Sequence, residues 1–276
     1  MRIFVTGGTG FIGKHVIKKL LVDGHDVALL EYKLAETDKI AGQLKQFKPE
    51  AVLHLAWEGI PDYGEEASAK NLVYGKNLLK VAEETNCKMF ISTGSCWEYG
   101  GEYGKLREDD PLNPKNPFAS AKVMLCDYAK KWADEKNIKF FWLRIFYAYG
   151  PGQKSSSLIP HVINSFKNSA DPQIKNLNGG NDFVYIDDVV QALAAVLKKS
   201  AGLKSSIFNI GSGKLIGVRE VVRIIGKHYD PNFSESSGSL PSGFYADISK
   251  IEKETGWSPK VSIEEGIIKT IKYFEF

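Results

Sequence analysis

The stretch TGGTGFIG, residues 6 to 13, is the strongest indication of the fold of this chain. It follows the apolar run RIFVT (2 to 6) and opens an amphipathic segment, so its glycines lie between a predicted strand and a predicted helix. Glycines in this context allow a tight turn, a close approach of the backbone to a pyrophosphate, and packing of helix on strand. The helix N-terminus adds oriented N–H donors. The stretch therefore predicts a dinucleotide-binding loop formed by Gly7, Gly10 and Gly13.

Short apolar runs alternate with amphipathic segments through the first half of the chain. Four further runs are typical of buried strands: DVALLE (26 to 31), EAVLHLA (50 to 56), KMFIST (88 to 93) and KFFWLRIF (139 to 146). The alternation predicts an α/β fold with a doubly wound parallel sheet over residues 1–150. After Gly150 the sequence is punctuated by Gly, Pro and Ser. This change predicts a smaller mixed lobe over residues 151–276, interleaved with the first domain.

Composition excludes several classes of protein. The 276 residues are 43% hydrophobic and 25% charged, which is ordinary for a globular chain, and the net charge of +3 has no basic block behind it. We therefore expect no nucleic-acid partner. The early apolar strand leaves no room for a signal peptide, and no run reaches the length of a membrane span. Three cysteines without metal-ligand spacing fit a reducing compartment, so we expect a cytoplasmic protein with no metal and no membrane association.

Glu31 closes the second predicted strand. A carboxylate there can accept hydrogen bonds from a ribose diol and repel a 2′-phosphate, which favours NAD over NADP. Lys33 weakens the preference because a nearby cation can offset that repulsion. The predicted cofactor is NAD, with NADP as the alternative.

A series of motifs runs through nearly the whole chain: TGGTGFIG, HLAWEG, STGSCWEYG, LRIFYAYGPGQ, DFVYIDDVV, FNIGSG and KETGWSPKVSIEEGI. In order and spacing the series resembles the extended short-chain dehydrogenases/reductases, the family of nucleotide-sugar epimerases, dehydratases and reductases. The resemblance implies a Rossmann fold, an NAD(P)-dependent enzyme and a nucleotide-sugar substrate. It implies cofactor contacts at Gly7, Gly10, Phe11, Ile12, Gly13, Glu31, Ala56 and Lys122.

The family's catalytic residues map onto Ser95, Lys122 and Phe118. Ser95 stands four residues before the Tyr of the YG pair, where the family's hydroxyl binds the sugar oxygen that becomes a carbonyl. In PFASAK the lysine of Tyr-x-x-x-Lys is Lys122, but the tyrosine position holds Phe118, and none of the twelve tyrosines has a lysine four residues later. Such a lysine binds ribose hydroxyls and lowers the phenol's pKa. A phenyl ring has no proton to give.

Another group must then supply the proton, or the protein performs no redox chemistry. Tyr147 replaces an asparagine that faces the substrate in the family, Tyr63 lies in the loop after HLAW, and Cys96 follows Ser95. We rank Tyr147 first among these three, and bound water competes with all of them. Cys96 and Trp97 stand where the 4,6-dehydratases carry Asp and Glu, so dehydration is not expected.

The resemblance places the substrate site at Ser95, Trp97, Tyr63, Tyr147 and Lys154, with Lys154 near the diphosphate. Two family arginines are missing, because the RDF motif begins with Asn181 and LPSGFYAD has no arginine. Fewer guanidinium groups mean fewer bidentate phosphate contacts. The nucleotide and the sugar therefore stay open.

Three functions follow. The segment between Glu31 and KPEAVLHLA lacks room for a third strand, as in the 4-keto reductases that form dTDP-rhamnose, so we rank first an NAD(P)H-dependent reductase of a nucleotide-linked 4-keto-6-deoxy sugar. The alternative is an NAD-dependent nucleotide-sugar 4-epimerase. The second alternative is a redox-silent protein that binds a nucleotide sugar or dinucleotide.

The family also forms dimers through two long helices, predicted here near residues 65–86 and 117–136. Apolar residues on them, Leu72, Leu79, Met124 and Leu125, exceed what one sheet face needs. We therefore expect a homodimer.

Overall fold

A computed structural model describes residues 1–101, 103–234 and 240–275. The strands are β1 (Arg2–Thr6), β2 (Asp26–Leu29), β3 (Ala51–His54), β4 (Met89–Ser95), β5 (Gly104–Leu106), β6 (Lys139–Ile145), β7 (Tyr147–Tyr149), β8 (Gly179–Asn181), β9 (Phe183–Tyr185), β10 (Ser206–Ile210), β11 (Ile216–Gly217) and β12 (Ser242–Ala246). The helices are α1 (Phe11–Val22), α2 (Thr37–Phe47), α3 (Glu65–Glu84), α4 (Pro117–Lys136), α5 (Leu158–Lys167), α6 (Ile186–Lys199), α7 (Val218–Tyr229), α8 (Ser249–Thr255) and α9 (Ile263–Glu275), with a 3₁₀ helix at Cys96–Tyr99. In the described parts of the chain, no helix is long and apolar enough to cross a membrane.

Six strands form the larger sheet, in the order β10-β6-β4-β3-β1-β2. Every pairing from β6 to β2 is parallel. The central strands are buried on both faces, which suits the apolar runs that form them. The predicted α/β fold with a parallel Rossmann-like sheet is confirmed. β4 and β6 pair over their full lengths, so Ser95 lies opposite Ile145 at the carboxyl end of the sheet.

The described chain divides into two compact units. The first comprises Met1–Gly101, Glu108–Ile145 and Leu193–Phe208, and the second comprises the described residues of Glu102–Arg107, Phe146–Ala192 and Asn209–Phe276. The second unit holds a mixed four-stranded sheet, β11-β8-β12-β5, and the parallel pair β7-β9. The two domain ranges given above, 1–150 and 151–276, stay predictions.

The larger sheet ends at β2, and within the described residues only α2 lies between β2 and β3. The predicted lack of a third strand at this point is confirmed. The prediction that Glu31 closes β2 is wrong, because the strand stops at Leu29. Beyond this point the side chain of Gln43 of α2 bonds to the backbone: its Nε2 donates to the Leu29 carbonyl at 2.8 Å, and its Oε1 accepts the Glu31 N–H at 3.3 Å. Glu31 therefore lies exposed, beyond the strand.

Helices α3 and α4 pack closely on each other. A Cβ on Gly75 of α3 would lie 2.7 Å from a methyl carbon of Leu125 on α4, so glycine permits the approach. Leu79 and Leu125 are buried in the core between these helices and the sheet. The prediction that these residues exceed what one sheet face needs is therefore wrong for Leu79 and Leu125, and Leu72 is half-buried against the same core. Val73 and Met124 are each 53% exposed and remain available on the outer surface of the pair.

We expect the protein to form a dimer through this outer surface. Static light scattering at micromolar concentration should give about twice the chain mass of 30.7 kDa. Met124→Lys is expected to shift the protein toward the monomer, because a dimer interface would bury the new charge without a partner. Lys130→Glu, an exposed change on the same helix, is the control. A natural protein that scatters as a monomer would contradict the expectation.

Candidate active site

The glycine loop is shaped by its own backbone contacts. Gly7 has φ of +75°, and a Cβ there would lie 2.5 Å from the backbone nitrogen of Ala56. A Cβ on Gly13 would lie 2.1 Å from the carbonyl oxygen of Gly7. Helix α1 follows with Gly10 as its N-cap, no side-chain cap and no acidic residue in its first turn. Its first N–H groups therefore suit an anion, and the loop fits the pyrophosphate of a dinucleotide.

We expect Gly13→Ala to be disruptive, because its Cβ would meet backbone atoms that cannot rotate away. Stability should fall by about 1–3 kcal/mol or more, and NAD affinity should fall with it. Gly42→Ala in α2 is the matched control, since nothing lies within 4 Å of its Cβ position. That change should be neutral or slightly stabilising. Urea unfolding and calorimetric NAD titration would measure both effects, and equal behaviour of the two variants would contradict the prediction.

Beside the loop, the ends of β1 and β3 are joined through a buried histidine that sequence reasoning missed. Nδ1 of His54 lies 2.7 Å from Oγ1 of Thr6, and this hydroxyl accepts the N–H of Ala56 at 3.3 Å. Burial lowers the pKa of His54 to about 3, and the charge of Lys122 acts in the same direction. His54 is therefore neutral at physiological pH. It fixes the backbone that packs against Gly7 and has no acid–base role there.

Ser95 closes β4 and caps the 3₁₀ helix. Its Oγ accepts the N–H of Trp97 at 3.2 Å, and its own N–H donates to Oε1 of Glu98 at 2.8 Å. These reciprocal bonds form a capping box that fixes the rotamer and the backbone of Ser95. Because the oxygen already accepts one bond, the hydroxyl proton is left to donate. Ser95 is thus suited to binding a carbonyl oxygen.

A buried ion pair lies beneath Ser95. Nε of Arg144 donates to Oε2 of Glu98 at 2.7 Å, and both side chains are at most 2% exposed. Glu98 also accepts Nε1 of Trp142 at 3.0 Å. Arg144 further donates to the Tyr99 hydroxyl at 3.0 Å and the Glu108 carbonyl at 2.9 Å. Burial opposes the charge of Arg144, but Glu98 and Tyr99 outweigh it and raise the pKa of the guanidinium.

Helix α4 presents Phe118 and Lys122 on one face, one turn apart. Asn116 caps the helix by accepting the N–H of Ala119 at 2.8 Å. Lys122 is buried, and its Nζ donates to the Thr93 carbonyl at 2.7 Å. Since Thr93 and Ser95 share β4, the strand brings Lys122 into the neighbourhood of the serine.

The ammonium group of Lys122 lies among aromatic rings. Its Nζ is 4.2 Å from the ring centroid of Trp57 and 5.8 Å from those of Phe118 and Trp142. Burial lowers the pKa of Lys122 to about 7, although the charge of Glu98 opposes the shift. Lys122 therefore titrates in the physiological range.

Phe118 and the three rings around it, Trp57, Tyr63 and Trp97, form what we call the aromatic cluster. The Phe118 ring centroid lies 5.1 Å from that of Trp57, 5.2 Å from Tyr63 and 5.9 Å from Trp97, all edge to face. Tyr63 and Trp97 lie 5.0 Å apart. The Trp57 indole N–H is buried and has no hydrogen-bond acceptor within the described residues. The cluster thus combines apolar faces with an unused donor.

Two predicted substrate residues belong to the second unit. Tyr147 opens β7, is half-buried, and lies 6.1 Å from Phe183 and 6.5 Å from Phe244 between ring centroids. Lys154 is exposed in the segment before α5. Both remain predicted substrate contacts.

The motifs of the second unit are connected by Asp182, which sequence reasoning did not single out. Its carboxylate accepts the N–H and hydroxyl of Ser212 at 2.5 and 2.7 Å, and the N–H groups of Gly213 and Ala246 at 3.0 Å each. Burial raises the pKa of Asp182, while these donors oppose the rise. The NDF, FNIGSG and YAD motifs are therefore tied together by one buried carboxylate.

The comparisons with known proteins agree with this geometry. The model of the NAD dependent epimerase/dehydratase family matches residues 3–211. CDP-abequose synthase of Salmonella muenchen is 27% identical over 99% of this chain and 98% of its own. The dTDP-4-dehydro-6-deoxyglucose reductase of Escherichia coli is 27% identical over 98% and 96%. A UDP-glucose 4-epimerase of Thermotoga maritima, solved with UDP-glucose, matches at a TM-score of 0.88 and 25% identity, covering 100% and 99%.

The chain belongs to the NAD-dependent epimerase/dehydratase family. It is therefore an enzyme, and NAD is its family's cofactor. The glycine loop, with its uncapped helix N-terminus, is the part of the structure that fits that cofactor.

Proposed function

We propose that the protein is an NAD(P)H-dependent reductase of the 4-keto group of a nucleotide-linked 6-deoxy sugar. The observation that carries the proposal is the aromatic cluster. It surrounds position 118 with rings, and Phe118 itself offers neither a base nor an acid. Ser95 and Lys122 are nevertheless held in place, Ser95 by its bond with Trp97 of the 3₁₀ helix and Lys122 by its bond to Thr93 of β4.

Net reduction makes smaller demands on this site than epimerisation does. A 4-epimerase has to take a proton from a sugar hydroxyl and later return it, so it needs one group that acts as base and then as acid. A reductase only donates the proton, and solvent can replace it afterwards. One relative supports this choice by its name, the dTDP-4-dehydro-6-deoxyglucose reductase.

The cluster also favours a deoxy sugar. None of its four side chains is charged, and the aromatic faces suit a methyl group and the C–H face of a pyranose. The unused N–H of Trp57 can donate to one oxygen of such a ligand.

The remaining residues have the following proposed roles. The hydroxyl of Ser95 donates to the keto oxygen and stabilises the charge that develops there. Lys122 binds ribose hydroxyls, and Glu31 binds the adenosine ribose. When bound, the reduced cofactor supplies the hydride. Tyr147 and Lys154 bind the nucleotide sugar, with Lys154 at the diphosphate.

Cofactor consumption tests the proposal. The natural protein should oxidise NADH or NADPH in stoichiometric amounts with a CDP- or dTDP-linked 4-keto-6-deoxy sugar, followed by absorbance at the nicotinamide band. Ser95→Ala is the matched control and should lower the rate about 10²-fold or more. Interconversion of UDP-glucose and UDP-galactose without net cofactor change would establish the epimerase instead. No hydride exchange with any sugar of the panel would establish a redox-silent protein.

A further inference from the structure

Phe118 leaves the site without the phenol that its position would otherwise provide, and the surroundings of its ring show where another phenol lies. Three rings contact Phe118 within the described residues of the first unit: Trp57, Tyr63 and Trp97. Of these three, Tyr63 alone carries a hydroxyl. Its ring centroid lies 5.2 Å from that of Phe118, with 66° between the ring planes.

The hydroxyl of Tyr63 is not committed elsewhere. It makes no hydrogen bond to any other described residue, while the ring is held between Phe118 and Trp97. The side chain is half-buried in the loop that precedes α3. The ring of Tyr63 is thus held by its neighbours, and its hydroxyl is available to a ligand that enters the cluster.

We propose that Tyr63 is the proton donor of the reduction and replaces the missing hydroxyl at position 118. The proposal rests on the proposed reductase function. In the step, the keto carbon receives a hydride from the reduced nicotinamide. The hydride carries one proton and two electrons, so the nicotinamide is oxidised and the keto carbon is reduced. The keto oxygen takes the proton of the Tyr63 hydroxyl as the C=O double bond becomes a C–O single bond. Water then returns a proton to the Tyr63 phenolate.

The protonation state of Tyr63 agrees with this direction of transfer. Burial raises the pKa of its phenol, so the group stays protonated at physiological pH. A protonated phenol can donate to an oxygen that becomes an alkoxide, but it cannot serve as the base that starts an oxidation. The geometry and the proton inventory thus both favour donation.

Other candidate donors are less suited. The side chain of Cys96 is only 3% exposed, and a thiol is a weak hydrogen-bond donor. The ring of Tyr147 packs on Phe183 and Phe244 and is not among the three rings that contact Phe118. The experiment therefore includes Tyr147→Phe as a competing variant.

The test compares the natural enzyme with Tyr63→Phe, Tyr147→Phe and the double variant Tyr63→Phe/Phe118→Tyr. Tyr63→Phe should lower kcat about 10²-fold with little change in KM, because only a proton is removed. The solvent deuterium isotope effect on kcat should differ between the natural enzyme and Tyr63→Phe. Loss of packing alone would not change this isotope effect. The double variant should recover part of kcat, since it restores a phenol one helical turn from Lys122.

The controls separate failure of the inference from failure of the proposed function. Tyr103→Phe, at a tyrosine that is 75% exposed, should leave kcat unchanged. Circular dichroism and NAD titration should show that Tyr63→Phe folds and binds cofactor. If Tyr63→Phe reduces the keto sugar as fast as the natural enzyme does, or if only Tyr147→Phe lowers kcat, Tyr63 is not the proton donor. Either result would leave the proposed reductase function intact. A natural enzyme that reduces no keto sugar would overturn both.

Discussion

Glu98→Gln is expected to lower the free energy of unfolding by about 3–5 kcal/mol, because it leaves the charge of Arg144 buried and uncompensated. Arg144 is 2% exposed and cannot reach water without a rearrangement of β6. Its other acceptors, the Tyr99 hydroxyl and the Glu108 carbonyl, are neutral. Equilibrium urea denaturation followed by circular dichroism would measure the loss.

An exposed ion pair provides the control for this prediction. Glu66→Gln removes the partner of Lys70 in an i,i+4 pair whose side chains are 84% and 57% exposed. Its cost should be below about 1 kcal/mol. If Glu98→Gln lowers the free energy of unfolding no more than this control does, the buried ion pair does not stabilise the protein as predicted. Because Glu98 also accepts the N–H of Ser95, a rearrangement around the uncompensated charge should also lower the proposed reductase activity.

Lys122→Met is expected to change how the stability of the cofactor-free protein depends on pH. The pKa of Lys122 falls from 10.5 to about 7 on folding. Between these values the unfolded chain binds more protons than the folded chain, so stability rises with pH, by about 1.4 kcal/mol per pH unit from this residue. Below pH 7 the full cost of burying the charge is present, and above pH 10.5 it has vanished.

The variant lacks this titration. As the pH rises from 7 to 10, the natural protein should therefore gain several kcal/mol of unfolding free energy relative to Lys122→Met. Lys130→Met, an exposed position on the same helix, should show no such shift. A difference that stays constant across this pH range would show that Lys122 is not held in a desolvated state.

Local signals in the sequence predicted much of this architecture. The glycine loop, the buried runs of β1, β3, β4 and β6, and the helices at 65–84 and 117–136 all carry periodicity or turn residues within a short window. The contracted segment after Glu31 likewise predicted the sheet edge at β2. These features could be predicted because each depends on neighbours in the chain.

The features that sequence reasoning missed depend on residues brought together by the fold. Glu98 and Arg144 lie on different elements. The apolar pattern of a buried strand does not show which residue pairs with a charged residue inside it. The rings of the aromatic cluster come from three segments: the loop between β3 and α3, the 3₁₀ helix and the start of α4. The burial of Leu79 and Leu125 could not be predicted for the same reason, because it depends on the packing of helix α3 on helix α4.

Gln43 gives the edge of the larger sheet a protection that its strand count would not predict. An open edge presents free N–H and C=O groups on which another chain can add a strand and begin to aggregate. At β2 the amide of Gln43 occupies the last carbonyl of the strand and the N–H two residues beyond it. The strand is also only four residues long and begins with Asp26. These features leave fewer free edge groups on which an incoming strand could pair.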